Sequence, residues 1–224
     1  LMKINEVDFY RACATSAMRE AENRHDICES ILHNTGIDLE VISGKEEAKL
    51  IFSNFHLSSI DLEKNYIFID VGGGSTELSL IQNNVKTSSK SFNIGSVRYL
   101  SGNEAEKVKI QMKSWLNDNY SKNEEISAIG TGGSINKLYN LSKHNFDQPM
   151  TYKSLNEIIK YISSFSYEDR IRVLKLKPDR ADVIVPSGEI YKMVMSSTGA
   201  NQIIVPKVGL SDGIIYNLFL QKEL

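Results

Sequence analysis

The stretch "FIDVGGGSTELSL", residues 68–80, restricts the possible folds of this chain more than any other segment. An apolar run leads into three consecutive glycines, and a second run then alternates polar and apolar residues. This pattern predicts two strands joined by a turn. Without side chains, such a turn can direct several backbone N–H groups toward a phosphate or another oxyanion. A flexible hairpin turn is the alternative interpretation, because glycines alone are a weak signal.

The segments after this turn predict an α/β domain. The residues up to position 94 predict a third antiparallel strand, and apolar residues at helical spacing predict a helix over 103–119. Strands and helices then alternate to the end of the chain, with extra helices near 154–176. With the extra helices treated as insertions, the predicted order is βββαβαβα.

The first part of the chain predicts the shorter order βαβα. Strands are expected over 9–15 and 38–43, and helices over 16–36 and 44–55, with Gly36 suited to a left-handed helix cap. This order matches the last four elements of the later pattern. It indicates two copies of one unit, the first without its opening βββα. A coincidental alternation of strands and helices is the alternative.

Two domains are therefore expected. The first covers residues 1–55 and the second covers residues 56–224, because the polar segment "SSIDLEKN" separates the two patterns. The boundary is expected between Glu47 and Lys64.

Two carboxylates flank the first glycine turn: Asp70 closes the apolar strand, and Glu77 follows the turn. The candidate phosphate-binding residues of the turn itself are Gly72, Gly73, Gly74 and Ser75. Carboxylates beside a phosphate suit Mg²⁺, which takes one or two carboxylates together with water and substrate oxygens. In the alternative interpretation, Asp70 caps the turn and Glu77 is an outward-facing strand residue.

A second glycine turn, "GTGGS", joins a predicted strand to a predicted helix at residues 130–134. Free N–H groups and the helix dipole favour anions at such a junction. The candidate phosphate-binding residues here are Thr131, Gly132, Gly133 and Ser134. Tight packing of the helix on the sheet is the competing explanation for the two glycines.

The segment "SGKEEA", residues 43–48, supplies the carboxylates Glu46 and Glu47 at a helix start. A carboxylate at such a turn can take a proton from an attacking water, although an acidic pair is more often a solvated helix start. Basic residues in the same part of the chain, including Arg11 and Arg19, can neutralise phosphate charge or can be ordinary surface charges.

Composition excludes several classes of function. A formal net charge of −2 argues against a general or sequence-specific nucleic-acid binder. The sequence contains no apolar run long enough to span a membrane. Cys13 and Cys28 lack the spacing of a zinc site or a CxxC pair, which favours a reduced, cytoplasmic protein.

Six segments, in this order, carry a resemblance to a known family: "ATSAMREAEN", "VISGKEEAKLIF", "FIDVGGGSTELSL", "NIGSVRYL", "IGTGGSINKL" and "GLSDGIIYNL". With them, the chain resembles the exopolyphosphatase / guanosine pentaphosphate phosphohydrolase family. That family has the actin-like, ribonuclease H-like α/β fold of the sugar-kinase superfamily, which agrees with the two-unit pattern.

The resemblance implies Mg²⁺-dependent hydrolysis of a terminal phosphoanhydride, in polyphosphate or in guanosine pentaphosphate. By position, Glu47 resembles the family's general base, while Asp70 and Glu77 resemble the carboxylates that organise metal and water. The turn at 72–75 resembles the phosphate cradle, and Arg19 matches an arginine that would steady the substrate's charge.

One departure from the family pattern affects these expectations. The family opens with an Asp-x-Gly-[Ser/Thr]-Asn-Ser phosphate loop, and this sequence begins after it, at "LMKINEVDFY". We expect a truncated or short form with low activity on its own, and an unpaired sheet edge that favours a homodimer. A module that binds polyphosphate or an alarmone without turnover, and an actin-like ATPase or kinase, remain alternatives. The sequence does not distinguish the two substrates.

Overall fold

The computed structural model describes residues 2, 4–43, 46, 47, 50, 64–83, 85–97, 99, 103–120, 125–142, 148–206 and 210–222. The chain divides into two compact units, one of residues 1–60 with 208–224 and one of residues 61–207. The sequence expectation placed residues 208–224 in the second domain, whereas the structure groups them with the first unit. A pattern of turn and helix does not encode the unit on which that helix packs. Among the described residues, no helix combines the length and the apolar character that a membrane span requires.

The first unit contains a short parallel strand pair. Strand β1 (Ala12–Ala14) pairs with β2 (Leu39–Val41), and the helices α1 (Ser16–Glu20) and α2 (Arg24–Thr35) connect them. Helix α2 ends at Gly36, whose φ of 70° and N–H bond to the Leu32 carbonyl confirm the predicted left-handed cap. Residues 46, 47 and 50 are helical, as predicted, and the rest of the 44–55 helix lies outside the described residues.

The predicted helix over 16–36 is interrupted. Ala21 has extended geometry, with ψ at 126°, so α1 stops after five residues. The Arg24 guanidinium donates to the Arg19 carbonyl at 3.3 Å, which satisfies an acceptor at the end of α1. The sequence has neither Gly nor Pro at this break, and its helical spacing therefore did not predict it.

The second unit is built on one mixed sheet. Its described strands are ordered β5-β4-β3-β6-β8-β7. Their bounds are β3 (Asn65–Val71), β4 (Thr76–Gln82), β5 (Val85–Phe92), β6 (Ile126–Thr131), β7 (Met150–Thr151) and β8 (Gln202–Ile204). The first three are antiparallel neighbours, and β6 and β8 add parallel strands, which confirms the predicted ribonuclease H-like order. The short edge strand β7 was not predicted, because two residues carry no periodicity.

Helices cover this sheet. Their bounds are α3 (Asn103–Asn119), α4 (Gly133–Leu141), α5 (Tyr152–Ser163), α6 (Tyr167–Arg172), α7 (Pro178–Ala181) and α8 (Ile184–Thr198). Helix α8 is the most enclosed, with Ile190, Tyr191, Val194 and Met195 fully buried in the core. The closing helix α9 (Leu210–Lys222) belongs to the first unit. The structure is therefore the expected mixed α/β fold.

Candidate phosphate-binding and active site

The first glycine turn joins β3 to β4, and its carbonyl groups take part in more hydrogen bonds than its N–H groups. Its carbonyls at Gly72 and Gly73 accept hydrogen bonds from the N–H groups of Ser96 and Val97, both at 2.9 Å. The Gly72 N–H donates across the turn to the Ser75 carbonyl at 2.9 Å. Within the part of the chain that the structure describes, the N–H groups of residues 73–75 donate no hydrogen bond. Consecutive N–H groups without a protein acceptor can form an anion-binding concavity when they point to the same side of a turn.

The conformation of the turn does not itself require glycine. The described glycines with positive φ are Gly36, Gly132 and Gly199, so the turn lies outside the left-handed region. An ideal Cβ would lie 3.4 Å from the Ser75 carbonyl oxygen at Gly72 and 3.7 Å from Val97 Cγ2 at Gly73. Both positions have room for a methyl group. A special backbone geometry, the reason for glycine in a flexible hairpin, therefore does not explain these two residues.

Gly95, which the sequence analysis did not single out, packs closely against the backbone of the first glycine turn. An ideal Cβ there would lie 2.5 Å from the Gly73 carbonyl oxygen and 2.6 Å from that of Gly72. A side chain at this position would push the turn away. Glycine is needed at 95 because two stretches of backbone approach closely, whereas the turn glycines have space.

Polar residues form a row across the sheet at the turn. In the strand register, Asp70 is directly opposite Glu77 on one side and Thr131 on the other, and Ser91 is opposite Glu77. Directly opposed residues project from the same face of a sheet. The row places both predicted metal-binding carboxylates side by side next to the first glycine turn.

This carboxylate pair fits Mg²⁺. Like charges opposite each other across an antiparallel pair are unfavourable, and a hard cation between them removes that repulsion. Among the described residues, no cluster of three or more His, Cys, Asp or Glu side chains forms a complete protein-built metal cage. Mg²⁺ typically binds one or two carboxylates together with water and substrate oxygens, whereas zinc sites usually contain three or four protein ligands.

The second glycine turn lies against Asp70. An ideal Cβ on Gly132 would be 3.2 Å from Asp70 Oδ1. Gly132 itself has φ 106° and ψ 159°, a conformation open essentially to glycine alone, and it precedes α4 without a side-chain cap on that helix. Backbone geometry therefore explains this glycine, in contrast to those of the first turn.

An arginine that sequence reasoning missed reaches the second turn from α7. Arg180 Nη1 donates to Ser134 Oγ at 3.1 Å, and its guanidinium would lie 2.8 Å from a Cβ on Gly133. A cation at the positive end of a helix dipole is unfavourable by itself, so the arrangement favours an anion at the same place. The buried Thr131 Oγ1 has no hydrogen-bond partner among the described residues.

A second missed residue, Tyr191, lies under both turns. Its hydroxyl accepts from the Val71 N–H at 3.3 Å and donates to the Thr131 carbonyl. Burial, followed by the nearby Asp70 charge, raises the pKa of this phenol well above its ordinary value of 10, which keeps it protonated. The sequence analysis predicted a helix here and did not single out Tyr191.

The first unit brings together the other two predicted catalytic residues. Arg19 Nη1 donates to Glu47 Oε2 and to the Ile42 carbonyl, both at 2.9 Å. The Glu47 side chain is only 14% exposed, while its backbone N–H bonds to the Ser43 carbonyl at 2.9 Å. The ion pair and the helix start fix the direction of the carboxylate.

Glu46, the other acidic residue of the segment, has a different partner. Its carboxylate accepts from Arg11 at 2.6 Å, and the same arginine bonds Glu40 at 2.6 Å. Hydrogen bonding to Arg11 lowers the pKa of Glu40. These contacts assign Glu46 to the framework of the first unit, which leaves Glu47 as the better candidate for chemistry.

Comparison with known proteins places the chain in a family. Residues 3–222 match the model of the Ppx/GppA phosphatase family. The bifunctional 3-dehydroquinate synthase/phosphatase of Fusobacterium nucleatum is 29% identical over 86% of this chain and 32% of its own length. Exopolyphosphatase 1 of Mycobacterium tuberculosis is 23% identical over 91% of this chain and 65% of its own.

Solved structures of similar fold include an exopolyphosphatase. The crystal structure of an exopolyphosphatase from Cytophaga hutchinsonii superposes with a TM-score of 0.80 at 21% identity, over 98% of this chain and 78% of that one. The chain thus spans from about a third to about two thirds of the length of the two curated relatives. Because the family match covers nearly the whole sequence, the chain belongs to the Ppx/GppA phosphatase family.

Proposed function

We propose that this chain releases the terminal phosphate of inorganic polyphosphate or guanosine pentaphosphate by Mg²⁺-assisted attack of water. The observation that carries the proposal is the first glycine turn. Gly72 and Gly73 have space for a side chain and no positive φ, and the N–H groups of residues 73–75 donate no hydrogen bond to any described residue. Glycine at such positions serves the close approach of a group from outside the protein, and free N–H groups specify an anion.

The metal belongs with Asp70 and Glu77. Their opposed positions in β3 and β4 provide two carboxylate ligands beside the phosphate turn. Bound there, Mg²⁺ would supply charge neutralisation for the phosphate oxygens in the transition state. The residues around this metal position would orient the phosphate, and such positioning is a large part of the protein's contribution to phosphoryl transfer.

The second turn would hold further phosphate oxygens. Ser134 and the first N–H groups of α4 are adjacent to the Arg180 guanidinium. Donors and positive charge at one place stabilise the charge that develops on the departing phosphate. We therefore assign Thr131, Gly132, Gly133 and Ser134 to phosphate binding, as the sequence predicted, and add Arg180.

Glu47 is proposed as the base that accepts a proton from the attacking water. Oε2 is occupied by Arg19, and Oε1 makes no hydrogen bond within the described part of the chain. An oriented carboxylate with one open oxygen satisfies the geometric requirement of a general base. Arg19 then acts through Glu47 as well as through any charge it offers to the substrate.

The test is phosphate release from long-chain polyphosphate, guanosine pentaphosphate and ATP, measured in parallel with and without Mg²⁺. We expect release from one or both of the first two and little from ATP. Tight polyphosphate binding without release would indicate the binding-module alternative. Equal or faster turnover of ATP would indicate an actin-like ATPase and would overturn the proposal. Glu46→Gln serves as a matched control for Glu47→Gln, because both glutamates pair with an arginine.

We also propose a cytoplasmic location and a homodimer. The free cysteines Cys13 and Cys28 agree with a reducing compartment. The described sheet of the first unit has two strands, and an unpaired strand edge favours pairing with a second copy. Sedimentation velocity at micromolar concentration distinguishes a dimer from a monomer.

A further inference from the structure

A single buried hydroxyl connects the backbones that enter the two glycine turns. Tyr191 is fully buried in α8, and its hydroxyl bonds both the Val71 N–H and the Thr131 carbonyl. Val71 is the residue immediately before the first turn, and Thr131 immediately precedes Gly132 in the second. The residues lie 120 and 60 positions from Tyr191 in the sequence.

The strand ladder between the two turns ends one residue earlier. The parallel pairing of β3 with β6 runs to Asp70 opposite Thr131, and Val71 has no partner in β6. Beyond this point the sheet does not fix the separation of the two chains. The Tyr191 hydroxyl supplies the next link, at the position where each chain leaves the sheet.

The same hydroxyl lies next to the other groups of the site. An ideal Cβ on Gly132 would be 3.7 Å from Tyr191 Oη, 3.4 Å from the Val71 carbonyl oxygen and 3.2 Å from Asp70 Oδ1. On its other side, the ring lies 3.3 Å from the Cβ position of Gly130. Packing on that glycine and full burial leave the phenol little freedom to move.

We propose that Tyr191 is a positioning residue that sets the spacing of the two glycine turns, so that both hold the same phosphate group. This inference rests on the proposed function for its consequence in catalysis, and on the backbone hydrogen bonds for its structural part. Tyr191 does not touch the substrate. Its effect arises because a displacement of about 1 Å in a phosphoryl-transfer site can reduce the rate about 100-fold.

The test compares Tyr191→Phe with Tyr139→Phe. Tyr139 is a matched control in the same unit, since its buried phenol also donates to a main-chain carbonyl, that of Gln148, at 2.7 Å. Amide hydrogen exchange is measured over residues 71–75 and 131–134, together with kcat and KM for polyphosphate. We expect Tyr191→Phe to accelerate exchange in both turns and to lower kcat about 10- to 100-fold, while Tyr139→Phe leaves both unchanged.

Three results would overturn the inference. These are unchanged exchange in Tyr191→Phe, faster exchange in only one turn, or an equal loss of kcat in the two variants, which would indicate a general loss of packing. If the unsubstituted chain releases no phosphate, the proposed function fails, and hydrogen exchange still decides the positioning role. If Tyr191→Phe does not fold, protection of the Val71 amide in the unsubstituted chain decides it, because that amide must exchange far more slowly than the Gly73 amide.

Discussion

Gly73→Ala separates the ligand requirement at the first turn from the requirement of folding. An ideal Cβ at Gly73 meets Val97 Cγ2 at 3.7 Å, an ordinary van der Waals contact, and the backbone φ is not positive. Replacing glycine with alanine at a compatible position stabilises a protein by about 0.4–1 kcal/mol, because the unfolded chain loses conformational freedom. We therefore expect the free energy of unfolding to stay constant or to rise by that amount.

The same methyl group should weaken phosphate binding. Under the proposed function, Gly73 lacks a side chain so that a phosphate can come close to the N–H groups of residues 73–75, and a methyl group there would hinder that approach. The loss of one charge-assisted hydrogen bond is worth about 1.5–3 kcal/mol, which corresponds to about a 10- to 150-fold loss of affinity. Stability and function are thus expected to change in opposite directions.

Two assays measure these quantities. Urea unfolding is followed by the fluorescence of Trp115, the sole tryptophan of the chain, and polyphosphate affinity is measured by calorimetry in the presence of Mg²⁺. Val97→Ala in the Gly73→Ala background removes the described side chain that lies within 4 Å of the new methyl group, and it should not restore binding. Unchanged affinity in Gly73→Ala would refute the reasoning that the turn is glycine for a ligand. A loss of stability above about 1 kcal/mol would refute the packing argument.

Four further predictions concern stability, metal binding, catalysis and pH. Gly95→Ala should destabilise the fold by about 1–3 kcal/mol in urea unfolding, because its Cβ would meet the turn backbone at 2.5 Å. Asp70→Asn should raise the Mg²⁺ concentration for half-maximal phosphate release about 10-fold or more; an unchanged titration would remove Asp70 as a ligand. Glu47→Gln should lower kcat about 10²- to 10⁴-fold while calorimetry shows polyphosphate still bound. Glu40→Gln should lose less than about 1 kcal/mol at pH 7, because the carboxylate is nearly half exposed. Arg11 lowers the folded-state pKa of Glu40, so the Glu40 carboxylate stabilises the fold fully at pH values above its ordinary pKa of 4.5. This stabilisation is lost as the pH falls below 4.5 and through the lowered folded-state pKa, which a comparison of unfolding at pH 7 and pH 3 would show.

Local sequence patterns predicted much of the fold. The helix over 103–119 has the bounds that its apolar spacing gave, and the hairpin at residues 65–82 follows from two strands around a glycine turn. The hairpin also implies that the two proposed metal ligands are paired: when a four-residue turn makes 71 and 76 opposite, 70 and 77 are the next pair. Asp70 and Glu77 come together through local geometry, which is the kind of contact that a sequence reveals.

Residues that reach the site from distant helices were not predictable in this way. Arg180 bonds Ser134 across 46 residues, and Tyr191 bonds Val71 across 120. Nothing within a helical window distinguishes Tyr191 from the other buried residues of α8, such as Ile190 and Val194. Its role depends on the tertiary register between α8 and the sheet, which periodicity does not encode.

The two glycine turns also show why a shared motif does not imply a shared cause. Gly132 is glycine because its φ of 106° excludes other residues, and Gly133 is crowded by the guanidinium of Arg180. Gly73 meets neither condition among the described residues, and the proposed function explains its lack of a side chain by the approach of a phosphate. Substitutions at Gly132 would therefore reduce stability and binding together, since the backbone strain precedes any ligand. Only the first turn allows the two effects to be separated, which makes it the better place to test whether this chain binds phosphate.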